Sequence, residues 1–357
     1  MTLPEGTQAV TPAFTADTLV ARDGFTLPLR AWPADKAKAV IVALHGMGDY
    51  SNAFAMPAPF WARRGITTLA IDQRGFGRSA DYGLWAGGDV MRRDLADALA
   101  AARTKYPGLP VYVLGESMGG AVVLSALADP ALPRPDGVIL VAPAVWSRSD
   151  MPASYRVALW LGAHTFPAMT LSGRGVVQIW PSDNIPMLRA YSRDPLVQKQ
   201  TRADAVYGLV NLMDEARHAL EHIADPPPIL FLYGKNDQVI PAAPTEAVVA
   251  ALGAKAEVHR YDHGYHMLLR DLDGPAVWQD VATWIGKPHP PTKAATNDIA
   301  GRYLSATQGD QPWPRNRRST TCATTPMHRA PPSPTPTNAS PAPSPPPSIP
   351  TRATCSW

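Results

Sequence analysis

Val111-Tyr112-Val113-Leu114-Gly115-Glu116-Ser117-Met118-Gly119-Gly120-Ala121-Val122-Val123-Leu124 is the stretch on which the fold turns. Its first four residues form an apolar, β-branched run that reads as a strand buried on both faces. The segment Met118–Ala128 is apolar almost all round, so it reads as a helix packed against a sheet. Between the two lies G-x-S-x-G. At a strand-to-helix turn this pattern forces a strained backbone: the glycines remove side chains that would clash, and the serine hydroxyl stands exposed above the sheet. The letters alone arise by chance in roughly one chain of this length in ten, so the strand–turn–helix context carries the reading.

Similar runs occur on both sides of it. Val40–Leu44, Ile66–Ile71, Val138–Val141 and Ile229–Tyr233 are short, apolar and bounded by turn residues. Helical candidates lie between them: Phe54–Arg64, Val90–Lys105, Thr245–Leu252 and Ala276–Ile285. In Val90–Lys105 the apolar set Met91, Leu95, Ala98, Leu99 and Ala102 recurs at helical spacing, and Arg92, Arg93, Asp94, Asp97 and Arg103 are expected away from that stripe. Thr18–Arg22 and Phe25–Trp32 flank Asp23-Gly24, a hairpin signal. Strand–helix alternation of this kind predicts an α/β fold with a mostly parallel central sheet flanked by helices. The alternation stops at residues 144–225, which show no convincing strand pair and carry Tyr155, Trp160, Phe166, Met169, Trp180 and Met187. We read 1–143 as the first part of the core, 144–225 as a helical insertion roofing the site, and 226–287 as the second part. Ligands bind beyond the C-terminal strand ends of such sheets, and aromatics and Met suit an adaptable apolar surface.

Composition agrees with this division. The net charge is +3 over 357 residues, but positions 301–357 hold six Arg, no Lys and one Asp, leaving a net of −2 before them. Sixteen of the 39 prolines follow Lys287. Ser, Thr and Pro supply 25 of the last 39 residues, too little apolar surface to offset ordering entropy, so 288–357 is expected to be a disordered tail. The folded part offers phosphates no electrostatic excess, so no nucleic-acid partner is expected. Cys322 and Cys355 both lie in the tail, which excludes a thiol nucleophile or cysteine zinc site in the core. No secretory signal or membrane-spanning stretch is visible, and a cytoplasmic location is expected.

The candidate chemistry centres on Ser117. A serine hydroxyl needs a base to remove its proton, and after this type of turn the acid and then the base follow in chain order. Asp237 lies four residues past the run Ile229–Tyr233, and His266 follows in His263-Gly264-Tyr265-His266-Met267-Leu268. His266 is the preferred base because an apolar run follows it directly; His263 is the rival. Asp225, ahead of three prolines, reads as a turn residue, and Asp271 and Asp273 come in the wrong order. His45-Gly46-Met47-Gly48 ends an early strand, and the backbone N–H groups of Met47 and Met118 are the natural donors for a tetrahedral oxyanion. His45 itself is expected to be structural. Asp72-Gln73-Arg74-Gly75-Phe76-Gly77 is read as a structural turn in which Asp72 and Arg74 pair. No H-E-x-x-H, EF-hand or clustered His/Asp pattern appears, so neither metal nor cofactor is expected.

Together HGMG, DQRGFGRS, GESMGG, Asp237 and GYHMLL resemble the α/β-hydrolase superfamily, and within it the monoacylglycerol lipase and lysophospholipase group, which shares motifs with serine aminopeptidases. The likeness spans Asp17 to Lys287. It implies an α/β-hydrolase fold with a helical cap, a Ser117–Asp237–His266 triad, oxyanion amides at Met47 and Met118, and a serine esterase or lipase without cofactor. The implied partner is a small acyl ester, with transient lipid or membrane contact through the apolar cap. An amidase or aminopeptidase, or a cofactor-free haloperoxidase-like enzyme, is the alternative chemistry, and a non-catalytic small-molecule receptor of the same fold is the third reading. Glu116 sits at a variable position of the motif and inherits no role.

Overall fold

Nine strands form one sheet because the short apolar runs need two covered faces. The computed structural model describes residues 9–171, 179–223 and 225–289. From position 290 onward the expected tail, with both cysteines, lies outside the described residues. The strands are β1 Ala13–Phe14, β2 Thr18–Val20, β3 Thr26–Trp32, β4 Ala39–Leu44, β5 Ile66–Ile71, β6 Val111–Glu116, β7 Gly137–Val141, β10 Ile229–Gly234 and β11 Ala256–Tyr261. Their spatial order is β1-β2-β3-β5-β4-β6-β7-β10-β11. From β5 to β11 all neighbours are parallel, whereas β1, β2, β3 and β5 pair antiparallel. The Asp23-Gly24 hairpin forms as expected: Gly24 takes φ 79°, and Asp23 accepts a hydrogen bond from the Phe25 N–H at 3.0 Å.

Within the central strands every residue is buried, yet alternate side chains serve different cores. Val40, Val42, Leu44, Val111 and Val113 face one apolar cluster with helices α2 Gly88–Lys105 and α3 Met118–Ala126. Ile41, Ala43, Tyr112 and Leu114 face the other, with α1 Pro57–Ala62 and α8 Gly274–Gly286. This period of two inside a uniformly apolar run is the pleat itself. Removing such area from water contributes about 25 cal/mol per Å².

Helix α2 departs from the sequence reading. Asp94 and Asp97 are buried rather than solvated. Asp97 accepts from the Arg22 backbone N–H at 2.8 Å and from its Nε at 2.9 Å. Arg74 donates through Nε and Nη2 to Asp94, both at 2.8 Å, and its Nη2 also reaches Asp23. Burial pushes the Asp94 carboxyl up to about 7, with Arg74 opposing it. The expected Asp72–Arg74 pair is therefore replaced. Asp72 instead accepts the Ser51 N–H at 2.9 Å and the Arg78 N–H at 3.0 Å, because the turn carries its side chain under the loop after β4 while Arg74 projects toward α2.

Between β7 and β10 the chain forms α4 Ala153–Thr165, β8 Thr170–Leu171, α5 Ile185–Arg193, β9 Thr201–Arg202 and α6 Ala203–Ala219. The two-residue strands β8 and β9 pair antiparallel, a small ladder where the sequence showed no strand pair. Helix α4 buries none of its residues: Tyr155, Val157, Trp160 and Leu161 are exposed, as are Phe166, Met169 and Trp180 nearby. These apolar side chains are therefore open to solvent in this structure. After α6 and β10 come α7 Ala242–Leu252, then β11 and α8.

Candidate active site

Strand β6 delivers Ser117 into a conformation that L residues avoid, φ 52° and ψ −115°. Such a position costs on the order of 1–3 kcal/mol and persists only where its surroundings fix it. Here the Ser117 N–H donates to the Val141 carbonyl at 3.0 Å, and its own carbonyl accepts from Ala121 and Ala144 at 3.2 and 2.9 Å. The motif glycines answer to close approach. A Cβ on Gly115 would lie 2.5 Å from the Gly119 carbonyl oxygen, and one on Gly119 would lie 2.3 Å from that of Leu44.

Asp237 lies in the turn after β10 and is fully buried in its side chain. Its Oδ1 accepts from the Val239 and Ile240 N–H groups at 2.7 and 3.0 Å, which leaves Oδ2 to face His266 Nδ1 at 2.8 Å. His266 Nε2 lies 3.0 Å from Ser117 Oγ. A carboxylate only accepts, so Nδ1 carries the proton and Nε2 is left as the acceptor for the serine hydroxyl. The acid and histidine loops are held together by backbone bonds, Lys235 N–H to the Tyr261 carbonyl and Asn236 N–H to that of Gly264, both 2.9 Å. His263, the rival base, is exposed. Asp225 is exposed and pairs with Arg134 at 3.3 Å.

Gly46 packs directly against the serine: a Cβ there would stand 3.1 Å from Ser117 Cβ. Met47 follows it in the loop after β4, and Met118 is the first residue of α3, where helix N–H groups lack an intrahelical acceptor. The positive end of the α3 dipole also lies there. His45 is a pin for this loop. It is fully buried, its Nδ1 lies 2.8 Å from the Gly46 carbonyl oxygen, and its Nε2 accepts the Gln73 N–H at 2.9 Å. Burial holds its pKa below the usual imidazole range.

Sequence reasoning missed the charged group beneath these loops. Arg270 is buried and reaches Asp49 Oδ2 with Nη1 at 2.7 Å and Glu116 Oε2 with Nη2 at 3.4 Å. One guanidinium thereby links the Met47 loop, the residue before the nucleophile and the segment after His266. Burial works against the Arg270 charge, but Asp49 and Glu116 outweigh it and raise its pKa. Burial likewise raises the Glu116 carboxyl, with Arg270 opposing. Positions 49, 116 and 270 have no local spacing that would betray the group.

Asp271 accepts the Tyr265 N–H at 2.7 Å, and burial pushes its carboxyl up to about 6. A carboxyl whose folded pKa exceeds its unfolded value, about 3.9, binds more protons when folded between those two values. Its stabilising contribution is full near pH 4 and is lost as pH rises to about 6. The expected difference is about 3 kcal/mol, at roughly 1.36 kcal/mol per pKa unit. Asp271→Asn should flatten the fall in unfolding free energy between pH 4 and pH 7, measured in urea. Parallel curves for the two proteins would refute the assignment.

The family described as serine aminopeptidase, S33, matches residues 35–273, more than half of the chain. The chain belongs to this family. Its match spans the Met47 loop, Ser117, Asp237 and His266, and stops just before α8. Among curated relatives, the monoacylglycerol lipase of Mycolicibacterium smegmatis is 29% identical over 280 residues, covering 73% of this chain and 93% of that protein. The monoglyceride lipase of Rattus norvegicus is 27% identical over 278 residues, covering 75% and 89%. A solved structure of a soluble variant of the Saccharomyces cerevisiae monoglyceride lipase, with a substrate analog, superposes with a TM-score of 0.65 at 17% identity, covering 81% of this chain and all of that one. The shared architecture is the α/β-hydrolase fold. Among the described residues no helix is long and apolar enough to cross a membrane.

Proposed function

We propose that this chain, a carboxylic ester hydrolase, cleaves monoacylglycerols or related monoacyl esters through Ser117, His266 and Asp237. The observation that carries the reading is the unbroken polar path from Asp237 through His266 to Ser117 Oγ, with steps of 2.8 and 3.0 Å. In the first half-reaction Ser117 Oγ attacks the ester carbonyl carbon while His266 Nε2 takes the hydroxyl proton. The Met47 and Met118 amides stabilise the oxyanion as it develops. The intermediate then expels the alcohol, which receives the proton from His266, and leaves an acyl-serine. In the second half-reaction water attacks that acyl group with His266 again as base, and the free carboxylic acid leaves. Asp237 holds the Nδ1 proton and stabilises the imidazolium.

The substrate class rests on relatives named for monoacylglycerol and monoglyceride hydrolysis. In this reading 144–225 is a cap. Its exposed apolar side chains, Tyr155, Trp160 and Phe166 among them, suit transient contact with the lipid phase from which such substrates come. An aminopeptidase would instead need a carboxylate reserved for the substrate's amine. The carboxylates of this segment are already engaged: Asp183 with the Leu272 N–H, Asp194 with Tyr50, Asp204 with Arg202, Asp214 with Arg148, and Glu215 with Arg92. Glu221 is exposed beside His218. Release of fatty acid from monoacylglycerols of graded chain length, set against anilide release from aminoacyl anilides, tests the proposal. Ester turnover should exceed anilide turnover by orders of magnitude and rise with chain length, since each buried methylene contributes about 0.8 kcal/mol. Preference for the anilides would overturn it.

A further inference from the structure

The end of α6 and the turn that follows it read His218-Ala219-Leu220-Glu221-His222, an H-x-x-E-H spacing that reverses the H-E-x-x-H order. Leu220 keeps right-handed helical dihedrals. The Glu221 N–H donates to the His218 carbonyl at 3.2 Å and the His222 N–H to that of Ala219 at 2.9 Å, so the helical path continues through the turn. Residues three and four apart on such a path share a face. The two imidazole Nε2 atoms lie 3.1 Å apart. An ion bonded to both at about 2.05 Å would subtend about 98° across that gap, between the octahedral and tetrahedral angles. Glu221 Oε2 lies 3.6 Å from His218 Nδ1, and the ligand atoms of the three residues all fall within 4.8 Å of one another. All three side chains are exposed, so Glu221 can rotate onto the ion and water can fill the remaining positions.

One ammonium lies close by in the fold, Lys255, which donates to the Ile223 carbonyl at 3.3 Å. The nearby guanidiniums are compensated, Arg217 by Asp150 and Arg148 by Asp214. A cleft of about 680 Å³, walled in part by His218, Glu221, Ser147 and Leu220, opens beside the group. Two imidazoles and one carboxylate suit a borderline transition ion rather than calcium or magnesium, which prefer all-oxygen shells.

We propose that His218, Glu221 and His222 bind a divalent transition metal ion of the zinc type, which ties the last turn of α6 to the segment leading into β10. The group shares no residue with the Ser117 site, so the proposal stands or falls separately from the esterase reading.

The test is calorimetric titration of the full chain, freed of metal by chelator, with zinc chloride, alongside melting curves with and without zinc. One equivalent should bind. His218→Ala and His222→Ala should each weaken that binding at least about tenfold, and Glu221→Gln by less. Zinc should raise the melting temperature of the parent chain but not of the histidine variants, because only the folded site presents the ligands together. His263→Ala and a Cys322→Ser/Cys355→Ser variant should bind as the parent does, which separates this site from other histidines and from thiols. If the His218→Ala/His222→Ala double variant titrates like the parent, or the parent binds no zinc, the proposal is wrong.

Discussion

Ser117→Ala should lower ester turnover by about four to six orders of magnitude while leaving the melting temperature nearly unchanged. The expectation follows from non-additivity: removing a nucleophile disables the whole acyl-transfer unit, and only binding and oxyanion stabilisation remain. Folding should survive because, among the described residues, the Ser117 side chain makes only the hydrogen bond to His266 Nε2, whereas its backbone conformation is fixed by Val141, Ala121 and Ala144. The same variant should lose covalent labelling by a fluorophosphonate, which reacts only with an activated serine. Turnover within tenfold of the parent chain would place the nucleophile elsewhere. A folded parent chain that resists the fluorophosphonate would point instead to a receptor of the same fold.

Arg270→Met should cost about 3–5 kcal/mol of unfolding free energy, the usual consequence of stranding buried charge. Asp49 and Glu116 would both lose their cation inside the fold, where their side chains are almost wholly covered. The cost belongs to the unpaired charges, not to the lost contact. Replacing all three, Asp49→Asn with Glu116→Gln and Arg270→Met, should therefore recover most of the stability, since no ion remains to be solvated. Arg270→Lys should fall between, because a single ammonium cannot span two carboxylates as a guanidinium fork does. Chemical unfolding in urea reads all four proteins. A loss below about 0.5 kcal/mol for Arg270→Met, typical of a neutral surface change, would show that the carboxylates are protonated or hydrated without it.

Local signals were sufficient where one segment answers to one force. The runs Val40–Leu44, Ile66–Ile71 and Ile229–Tyr233 are apolar at every position because both sheet faces are covered. Gly115 and Gly119 bracket Ser117 because neighbouring backbone leaves no room for a Cβ. The order Ser117, Asp237, His266 was legible because each follows a recognisable strand, and the three side chains meet at hydrogen-bond distance. Charge was where local reading failed. Asp94 and Asp97 look like solvated helix positions until Arg74 and Arg22 arrive from elsewhere in the chain.

The sequence by itself determined the sheet, the strained serine turn and the order of the candidate triad, since hydrophobic period and glycine sterics act over a few residues. Only the tertiary structure decided which charges are buried together. Asp49, Glu116 and Arg270 lie far apart in the chain, and a desolvated ion is tolerable only where the fold supplies its partner. The exposure of α4 was likewise undecided by its apolar letters, because what covers a helix depends on the elements packed beside it.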